Sequence, residues 1–322
     1  MGIARPECSV VIPVYNSQGS AARVAEDVLA AFAGVSLQLV LVDDGSRDES
    51  ARVCRELAGR HPGKVLFARL SRNFGEHNAV LAGLRLAAGR FVVVMDDDGE
   101  NRPEDARRLF ERARETDADL VYSRYPGRHH AWWRLAGSRF NGWVAGLLIR
   151  KPKDLYLSSF KCLSGWLVSQ VTRYEGPFPY LDGLALQYAG RIEVVDCAHA
   201  PSERAASNYN LRRLGRLWLN MAVNFSVAPL RLSSLLGAGM VALGGVLTAE
   251  VVVERFTSPS PTPPGWAHLA VLVLVFSGAQ LLILGVIGEY LGRLFLMANR
   301  LPQSAVRELV GAQRPEDADV GS

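Results

Sequence analysis

Short apolar runs rich in β-branched residues alternate with amphipathic segments in the first part of the chain. The predicted strands are Ser9 to Val14, Leu37 to Asp43, Val65 to Leu70 and Phe91 to Asp96, and the predicted helices lie near Ala21 to Ala31, Glu49 to Arg60 and His77 to Ala87. This alternation predicts an α/β layer structure with a mostly parallel sheet. Ligands of such sheets bind beyond the carboxyl ends of the strands, so a functional site is expected there.

Polar residues cluster at the end of each predicted strand. The clusters read PVYNS, DDGS, SRNFGEH and DDDGE in chain order. Because parallel strands end at one edge of a sheet, these clusters are expected to line one crevice. None has the glycine spacing of a dinucleotide site or a P-loop, and the chain has no GxSxG or HExxH motif. The sequence therefore gives no support for a dehydrogenase, a P-loop NTPase, a serine hydrolase or a zinc protease.

Three consecutive aspartates end the fourth apolar run. In an extended chain Asp96 and Asp98 point to one side and Asp97 points to the other. Two carboxylates on one side can bind Mg²⁺ or Mn²⁺ and leave coordination positions for the phosphate oxygens of a ligand. A solvated turn is the alternative interpretation. A calcium loop is excluded, because Asn101 replaces its glycine and Arg107 replaces its final glutamate.

Two long apolar runs follow, Leu232 to Val253 and Ala267 to Gly288, and each is long enough to span a bilayer. Arginines flank both runs, whereas the two charges of the connecting loop cancel. The positive-inside rule then places both flanks in the cytoplasm. We therefore predict a multi-pass protein of the cytoplasmic (inner) membrane with both termini cytoplasmic. Two buried helices of a soluble core are the alternative.

The predicted organisation has four parts: an α/β domain (residues 1–210), a juxtamembrane amphipathic segment (211–231), a two-helix transmembrane region (232–292) and a cytoplasmic C-terminal tail (293–322). Basic and aromatic residues are interleaved in HHAWWRLAGSRFNGWVAGLLIRK and LRRLGRLWLNMAVNF, which favours contact with an anionic bilayer surface. A core helix is the alternative for the first segment. Because a bilayer explains this pattern, no nucleic-acid partner is expected. The four cysteines are scattered, which argues against a zinc site or a disulfide framework.

The polar clusters also occur in the order and spacing of a known family. SVVIPVYNS, LVLVDDGSRDES, SRNFGEHNAVLAGL and MDDDGENRPED resemble motifs of the family-2 glycosyltransferases of GT-A fold. With YSRY, WWRLAGSRFNG, DLYLSSFK, ERAASNYN and the two apolar runs, the resemblance narrows to the polyprenyl-phosphate glycosyltransferases. These include undecaprenyl-phosphate glucosyl and aminoarabinosyl transferases and dolichyl-phosphate mannose synthases. The resemblance covers roughly residues 8 to 310 and implies a GT-A nucleotide-diphospho-sugar transferase domain.

On the donor side, the resemblance implies a nucleotide-sugar and a divalent cation, Mg²⁺ or Mn²⁺. The matching positions are Pro13, Tyr15 and Asp43 for the nucleobase and ribose, Asp96 for the sugar diphosphate, and Asp96, Asp98 and Glu100 for the metal. The metal would neutralise charge on the leaving diphosphate. A strand-ending turn at residues 13–17 and an Asx-type helix cap at residues 43–46 are the alternative interpretations.

On the acceptor side, the resemblance implies a polyprenyl phosphate. The positions that match its phosphate-binding residues are Arg124, Arg134, Ser138, Arg204 and Ser207. Arginine suits this role because a guanidinium stays charged and can bind two phosphate oxygens at once. Asp154 and Asp98 match the catalytic positions, Asp154 as an orienting, charge-stabilising or proton-accepting group. A phosphate monoester is largely ionised near neutral pH, so it needs no strong general base.

The function that the resemblance implies is the inverting, metal-dependent transfer of one sugar from a UDP- or GDP-linked donor to polyprenyl phosphate at the cytoplasmic membrane face. A processive polysaccharide synthase is one alternative, although the chain lacks a QxxRW motif. A membrane-anchored scaffold with a degenerate transferase domain is another. The chain departs from the family pattern at Ser17, Glu100 and Asn208. The sequence does not identify the sugar, and a homo-oligomer is compatible with it.

Overall fold

A computed structural model describes residues 5–125, 157–176, 179–197, 228–257, 266–298 and 302–311 of the chain. The chain divides into two compact units. The first comprises Met1–Asn208 together with Arg300–Ser322, and the second comprises Tyr209–Asn299.

The first unit contains alternating strands and helices. Its strands are β1 (Cys8–Val14), β2 (Leu37–Asp43), β3 (Val65–Leu70), β4 (Phe91–Val94), β5 (Leu120–Arg124), β6 (Lys161–Ser164), β7 (Ile192–Asp196) and β8 (Val306–Gly311). Its helices are α1 (Ala21–Ala31), α2 (Ser50–Arg60), α3 (Glu76–Leu86), α4 (Pro103–Thr116), α5 (Gly165–Val171) and α6 (Leu181–Tyr188). The first four strands and three helices agree with the sequence prediction to within a few residues.

The strands form one sheet in the order β7-β5-β6-β4-β1-β2-β3-β8. Strand β1 runs parallel to β2 and β4, and β2 runs parallel to β3, whereas β6 is antiparallel to both of its neighbours. The predicted mostly parallel sheet is therefore confirmed for the strands that carry the polar clusters. In register, Val14 lies opposite Asp43 and Asp43 lies opposite Arg69, so the carboxyl ends of β1, β2 and β3 meet at one edge.

The core lies between the sheet and helices α1, α2 and α4. Val10, Ile12 and Val14 of β1 point into it with at most 1% of their surface exposed. Phe110 of α4 packs against Phe32 and Phe91, with ring centroids 6.0 Å apart in both pairs. Each such buried side chain stabilises the fold by roughly 1.5–3 kcal/mol relative to an exposed one. This packing makes the strand ends a rigid support for the crevice.

Strand β8 comes from the part of the sequence that was predicted as a C-terminal tail. It pairs antiparallel with β3 at the edge of the sheet. The Arg55 guanidinium of α2 donates to both carboxylate oxygens of Glu308 at 2.6 and 2.7 Å. The Ser71 amide also donates to the Ala305 carbonyl at 2.9 Å. The segment that follows the long apolar runs is therefore part of the α/β unit, which the sequence did not predict.

The second unit contains helices α7 (Ala228–Thr257) and α8 (Trp266–Ala298), which include the two apolar runs. A Cβ atom on Gly244 would lie 3.2 Å from the Phe276 ring, so a small residue allows close approach there. Among the residues that the structure describes, no helix combines the length and the apolar character needed to cross a membrane. The two membrane spans inferred from the sequence are thus not confirmed and stay a prediction.

Candidate functional site

The loops that follow β1 and β2 are joined by reciprocal hydrogen bonds. The Asn16 amide donates to Ser46 Oγ at 3.0 Å, and the Arg47 amide donates to Asn16 Oδ1 at 2.9 Å. Asn16 has a φ of 51°, a left-handed conformation that asparagine tolerates better than most residues. The Ser17 amide continues this contact by donating to Ser50 Oγ at 2.8 Å. These bonds hold the first two polar clusters as one surface.

The loop after β3 is fixed to the same surface by Asp44. Its carboxylate accepts the Phe74 and Gly75 amides at 2.7 and 2.9 Å, and burial raises its pKa. Gly45 has a φ of 68°, and a Cβ there would lie 2.5 Å from the Arg72 carbonyl carbon. Only glycine fits this close approach without moving the backbone. The third polar cluster therefore lies against the other two, as predicted for loops that follow the carboxyl ends of parallel strands.

Asp43 ends β2 and is fully buried. Its Oδ1 accepts the Ser46 amide at 3.2 Å, which is the local turn bond that the alternative interpretation required. Helix α2, however, begins at Ser50 with Glu49 as its N-cap, so Asp43 does not cap it. Oδ2 is buried and forms no hydrogen bond within the described residues, although it forms an ion pair with the Arg69 guanidinium, whose Nε lies 3.4 Å away. Because a buried oxygen without a hydrogen bond is costly, a ligand N–H or O–H that reached this atom would be a favourable donor to it.

The residues predicted for the nucleobase lie beside Asp43. Pro13 pairs with Val42 in the sheet, one residue before the strand end. Tyr15 follows, with 40% of its surface exposed, and its amide donates to Asp97 Oδ2 at 3.1 Å. The exposed ring can stack against a flat base. The structure thus brings Pro13, Tyr15 and Asp43 together, as the sequence predicted.

The three consecutive aspartates of the acidic loop, residues 96–98, differ in burial and in hydrogen bonding. Asp97 is buried beneath Tyr15, whereas Asp96 and Asp98 are only partly buried. Asp98 Oδ1 accepts the Glu100 amide at 3.0 Å. Asp96 Oδ2 accepts from Asn101 Nδ2 at 3.1 Å and from Ser159 Oγ at 2.9 Å. Burial, followed by the negative charge of Glu76, raises the pKa of Asp96 to about 6, and the charge of Asp98 acts in the same direction.

These carboxylates supply some, but not all, of the ligands that a divalent cation needs. The donors at the loop are oxygens, which Mg²⁺ and Mn²⁺ prefer. The pKa of Asp96 is raised mainly by burial and secondly by the negative charges of Glu76 and Asp98, which a cation would offset. Within the described part of the chain, however, no group of three or more His, Cys, Asp or Glu residues is arranged to hold a metal ion. Asp96, Asp98 and Glu100 do not form such a group by themselves. Two carboxylates would need ligand oxygens to complete the coordination.

Arg124 is the one predicted acceptor-binding residue that falls within the described ranges. Its Nε and Nη2 donate to the two Asp196 carboxylate oxygens at 2.6 and 3.0 Å, and this pair is exposed on β5 and β7. Exposed pairs contribute little to stability, so a phosphate could compete for the guanidinium. The remaining predicted residues, Arg134, Ser138, Asp154, Arg204 and Ser207, lie outside the described residues, as do both basic-aromatic segments.

Sequence reasoning missed several polar residues close to this edge. Ser159, Asn101 and Glu76 act on Asp96. Each lies in a motif quoted above, DLYLSSFK, MDDDGENRPED or SRNFGEH, but no role was predicted for any of them. Lys161 on β6 and Asp182 on α6 also form a buried charged pair. The sequence around Lys161 does not show that this lysine is buried or that it pairs with an aspartate about twenty residues later, so the pair was not predicted.

The comparisons with known proteins identify the family. The family model described as "Glycosyl transferase family 2" matches residues 9–169, half of the chain. The chain belongs to glycosyl transferase family 2. The span of the match includes β1 to β6 and every described residue of the crevice. The prediction that the chain is a glycosyltransferase is confirmed.

Relatives of this family 2 glycosyltransferase align over nearly its whole length. The undecaprenyl-phosphate 4-deoxy-4-formamido-L-arabinose transferase of Edwardsiella ictaluri is 31% identical, with 96% of each chain covered. The enzyme of that name from Pseudomonas aeruginosa is 32% identical over 94% of this chain and 90% of its own. The predicted resemblance to polyprenyl-phosphate glycosyltransferases is thereby confirmed.

A solved structure of similar fold is glucosyl-3-phosphoglycerate synthase from Mycobacterium tuberculosis, in complex with Mn²⁺, UDP-glucose and phosphoglyceric acid. Its TM-score is 0.49 at 19% identity, with 68% of this chain and 78% of that chain covered.

Proposed function

We propose that this family 2 glycosyltransferase moves one sugar from a nucleotide-linked donor to undecaprenyl phosphate at the cytoplasmic face of a membrane. One observation carries the donor half of the proposal. An exposed aromatic ring, a buried carboxylate oxygen that has no hydrogen bond in the described residues, and two further carboxylates lie along one sheet edge, at Tyr15, Asp43, Asp96 and Asp98. Such an edge suits a nucleoside diphosphate, with its base at one end and its phosphates at the other.

The base would lie at the Asp43 end. Asp43 Oδ2 is suited to accept an N–H from a pyrimidine or purine ring, and the exposed Tyr15 ring offers a stacking face. Either contact suits uracil or guanine, so both UDP- and GDP-linked donors are compatible.

The diphosphate would lie at the Asp96 and Asp98 end. These residues would hold Mg²⁺ or Mn²⁺ together with diphosphate oxygens, with Glu100 as a further candidate ligand. When bound, the cation supplies Lewis-acid stabilisation of the negative charge on the leaving nucleoside diphosphate. Because the carboxylates by themselves do not make a complete metal site, metal and donor are expected to bind together.

The acceptor is assigned from the relatives, whose names specify undecaprenyl phosphate. An oxygen of this phosphate would attack the anomeric carbon, forming a new C–O bond as the bond to the donor diphosphate breaks. A single displacement of this kind inverts the anomeric configuration. Arg124, Arg134 and Arg204, with Ser138 and Ser207, would bind the attacking phosphate, and Asp154 would orient it. The sugar that we place first is 4-deoxy-4-formamido-L-arabinose, from the same names.

The membrane location rests on the sequence and on one feature of the fold. Strand β8 follows the two apolar runs in sequence, yet it pairs with β3 of the α/β unit. The chain before α7 and the chain after α8 therefore belong to one folded unit, which supports placing both on the same side of the membrane. An even number of crossings satisfies this condition, and two crossings are what the apolar runs predict. Both termini would then be cytoplasmic.

The experiment is a donor screen with the full-length protein in detergent or native membranes. Release of nucleoside diphosphate is measured with a panel of UDP- and GDP-linked sugars, with and without undecaprenyl phosphate, in Mg²⁺ or Mn²⁺. We expect one donor to be consumed only when the lipid and a divalent cation are both present, and EDTA to abolish release. Absence of release with every donor would contradict the proposal and favour a scaffold.

A further inference from the structure

The hydrogen bonds to Asp96 converge on a single oxygen. Ser159 Oγ and Asn101 Nδ2 both donate to Oδ2, at 2.9 and 3.1 Å. Within the described residues these are the hydrogen bonds that Asp96 receives, so its Oδ1 accepts none there. Two donors on one oxygen restrain rotation of the carboxylate and leave its other oxygen to act as a metal ligand. Donors that act in this way on a metal ligand commonly set its orientation and its affinity for the ion.

The position of Ser159 is fixed by strand β5. The Ser123 hydroxyl donates to the Phe160 carbonyl at 2.9 Å and can accept from the Ser158 hydroxyl, whose oxygen lies 2.8 Å away. The Ser123 amide also donates to the Phe160 carbonyl, at 3.2 Å. Ser123, Ser158 and Phe160 are all buried, and they flank Ser159 on both sides. Ser159 itself is exposed, so its hydroxyl is held towards Asp96 by a buried frame and not by its own packing.

The orientation of Asn101 is fixed in a similar way. The Tyr125 hydroxyl donates to Asn101 Oδ1 at 2.8 Å, so the amide nitrogen faces Asp96. Asn101 is 5% exposed and lies just before α4. Two independent segments, residues 157–160 and the start of α4, thus bring a donor to the same carboxylate oxygen.

We propose that Ser159, together with Asn101, is a positioning residue of the donor site, which saturates Asp96 Oδ2 and directs Oδ1 to the divalent cation. The inference rests on the proposed function and adds to it a residue for metal affinity that lies outside the acidic loop. Ser159 makes no direct contact with the cation in this account. Its effect acts through Asp96.

The test measures metal binding directly. Mn²⁺ binding to the full-length protein is followed by the loss of the free-ion electron paramagnetic resonance signal, with saturating UDP or GDP. We expect Ser159→Ala to raise the half-saturating Mn²⁺ concentration by roughly ten- to a hundredfold, as for other residues that orient a metal ligand. Asn101→Ala should act in the same direction. Ser159→Thr, which keeps the hydroxyl, should restore binding to near the wild-type level.

Ser169→Ala is the matched control, because Ser169 is also an exposed serine, and its hydroxyl donates only locally to the Trp166 carbonyl. Thermal unfolding of each variant separates a positioning role from a structural one. Mn²⁺ binding by Ser159→Ala within twofold of Ser169→Ala would overturn the inference, and so would failure of threonine to restore it. Absence of Mn²⁺ binding to the wild-type protein in the presence of nucleotide would instead contradict the proposed metal-dependent donor site, so the two negative results are distinguishable.

Discussion

Asp43→Asn tests the assignment of the nucleobase end of the crevice. Asp43 Oδ1 accepts the Ser46 amide, so the asparagine oxygen must take that position and its NH₂ group must replace Oδ2. The replaced atom is the buried acceptor without a hydrogen bond, 3.4 Å from Arg69 Nε. In the variant, an N–H donor would therefore face both a guanidinium and the N–H of a base. The contact with the ligand changes from attraction to repulsion.

The expected loss of nucleotide affinity follows from the kind of hydrogen bond that the substitution removes. A hydrogen bond to a charged group contributes about 1.5–3 kcal/mol. Since about 1.4 kcal/mol corresponds to a factor of ten, nucleotide affinity should fall by roughly 10- to 150-fold. The substitution is isosteric and keeps the Ser46 bond, but it removes the ion pair with the partly exposed Arg69 guanidinium, so a loss of stability of about 1 kcal/mol is expected.

The assay is isothermal titration calorimetry of the detergent-purified protein with UDP and with GDP, in the presence of Mn²⁺. Asp117→Asn serves as the control, because that side chain is 84% exposed and lies at the far end of α4. The thermal midpoint of Asp43→Asn should stay within a few degrees of the wild type. Nucleotide affinity within twofold of the control would refute the assignment of Asp43 as the acceptor for the base.

Three further predictions address the metal loop and the fold. The pKa of Asp96 is raised to about 6, so its protonated form, which cannot bind a cation, is populated below that pH. The Mn²⁺ concentration for half-saturation should therefore rise as the pH falls from about 7 to about 5. A flat pH profile would show that Asp96 is not a ligand. Asp182→Ala removes the partner of buried Lys161 and the acceptor of the Tyr122 hydroxyl at 2.8 Å, so the thermal midpoint should fall by roughly 6–20 °C, from about 3–5 kcal/mol at about 2–4 °C per kcal/mol. A smaller fall in the double variant Lys161→Met/Asp182→Leu than in Asp182→Ala would identify the unpaired charge as the cause, whereas an equal or larger fall would not. Glu308→Gln on β8 weakens the partly exposed ion pair with Arg55 of α2, and the free energy of unfolding in urea should fall by no more than about 1 kcal/mol. A fall of several kcal/mol would mean that this ion pair, and not the hydrogen bonds between β3 and β8, holds β8 in the sheet.

The sequence predicted those features of the fold that depend on local patterns. Strands β2 and β3 begin and end at the predicted residues, because each is an apolar run bounded by polar residues. Strand β4 ends at Val94, two residues before the predicted end, and this places Asp96 and Asp98 in a loop instead of an extended strand. Asp97 differs from the other two, because it is buried and accepts the Tyr15 amide.

Features that depend on distant parts of the chain could not be predicted in this way. Strand β8 has a weak pattern of its own, with charged and partly exposed residues, and its partner β3 lies more than two hundred residues earlier. An edge strand of this kind is defined by its neighbour and not by its own hydrophobicity. Ser159 is similar, because an exposed serine gives no signal until the fold brings it to Asp96. The surroundings of the two aspartates of DDGS also follow from the fold: Asp44 accepts the Phe74 and Gly75 amides, whereas Asp43 Oδ2 pairs with Arg69.

The most direct test of the proposed function is the mass of the lipid product. Undecaprenyl phosphate incubated with the full-length protein, the donor and Mn²⁺ or Mg²⁺ should gain the mass of one sugar residue. Asp98→Asn should abolish or greatly reduce this product, and the Asp117→Asn control should not. Absence of any sugar-modified lipid across the donor panel would contradict the account, and a series of products carrying several sugars would favour a processive synthase.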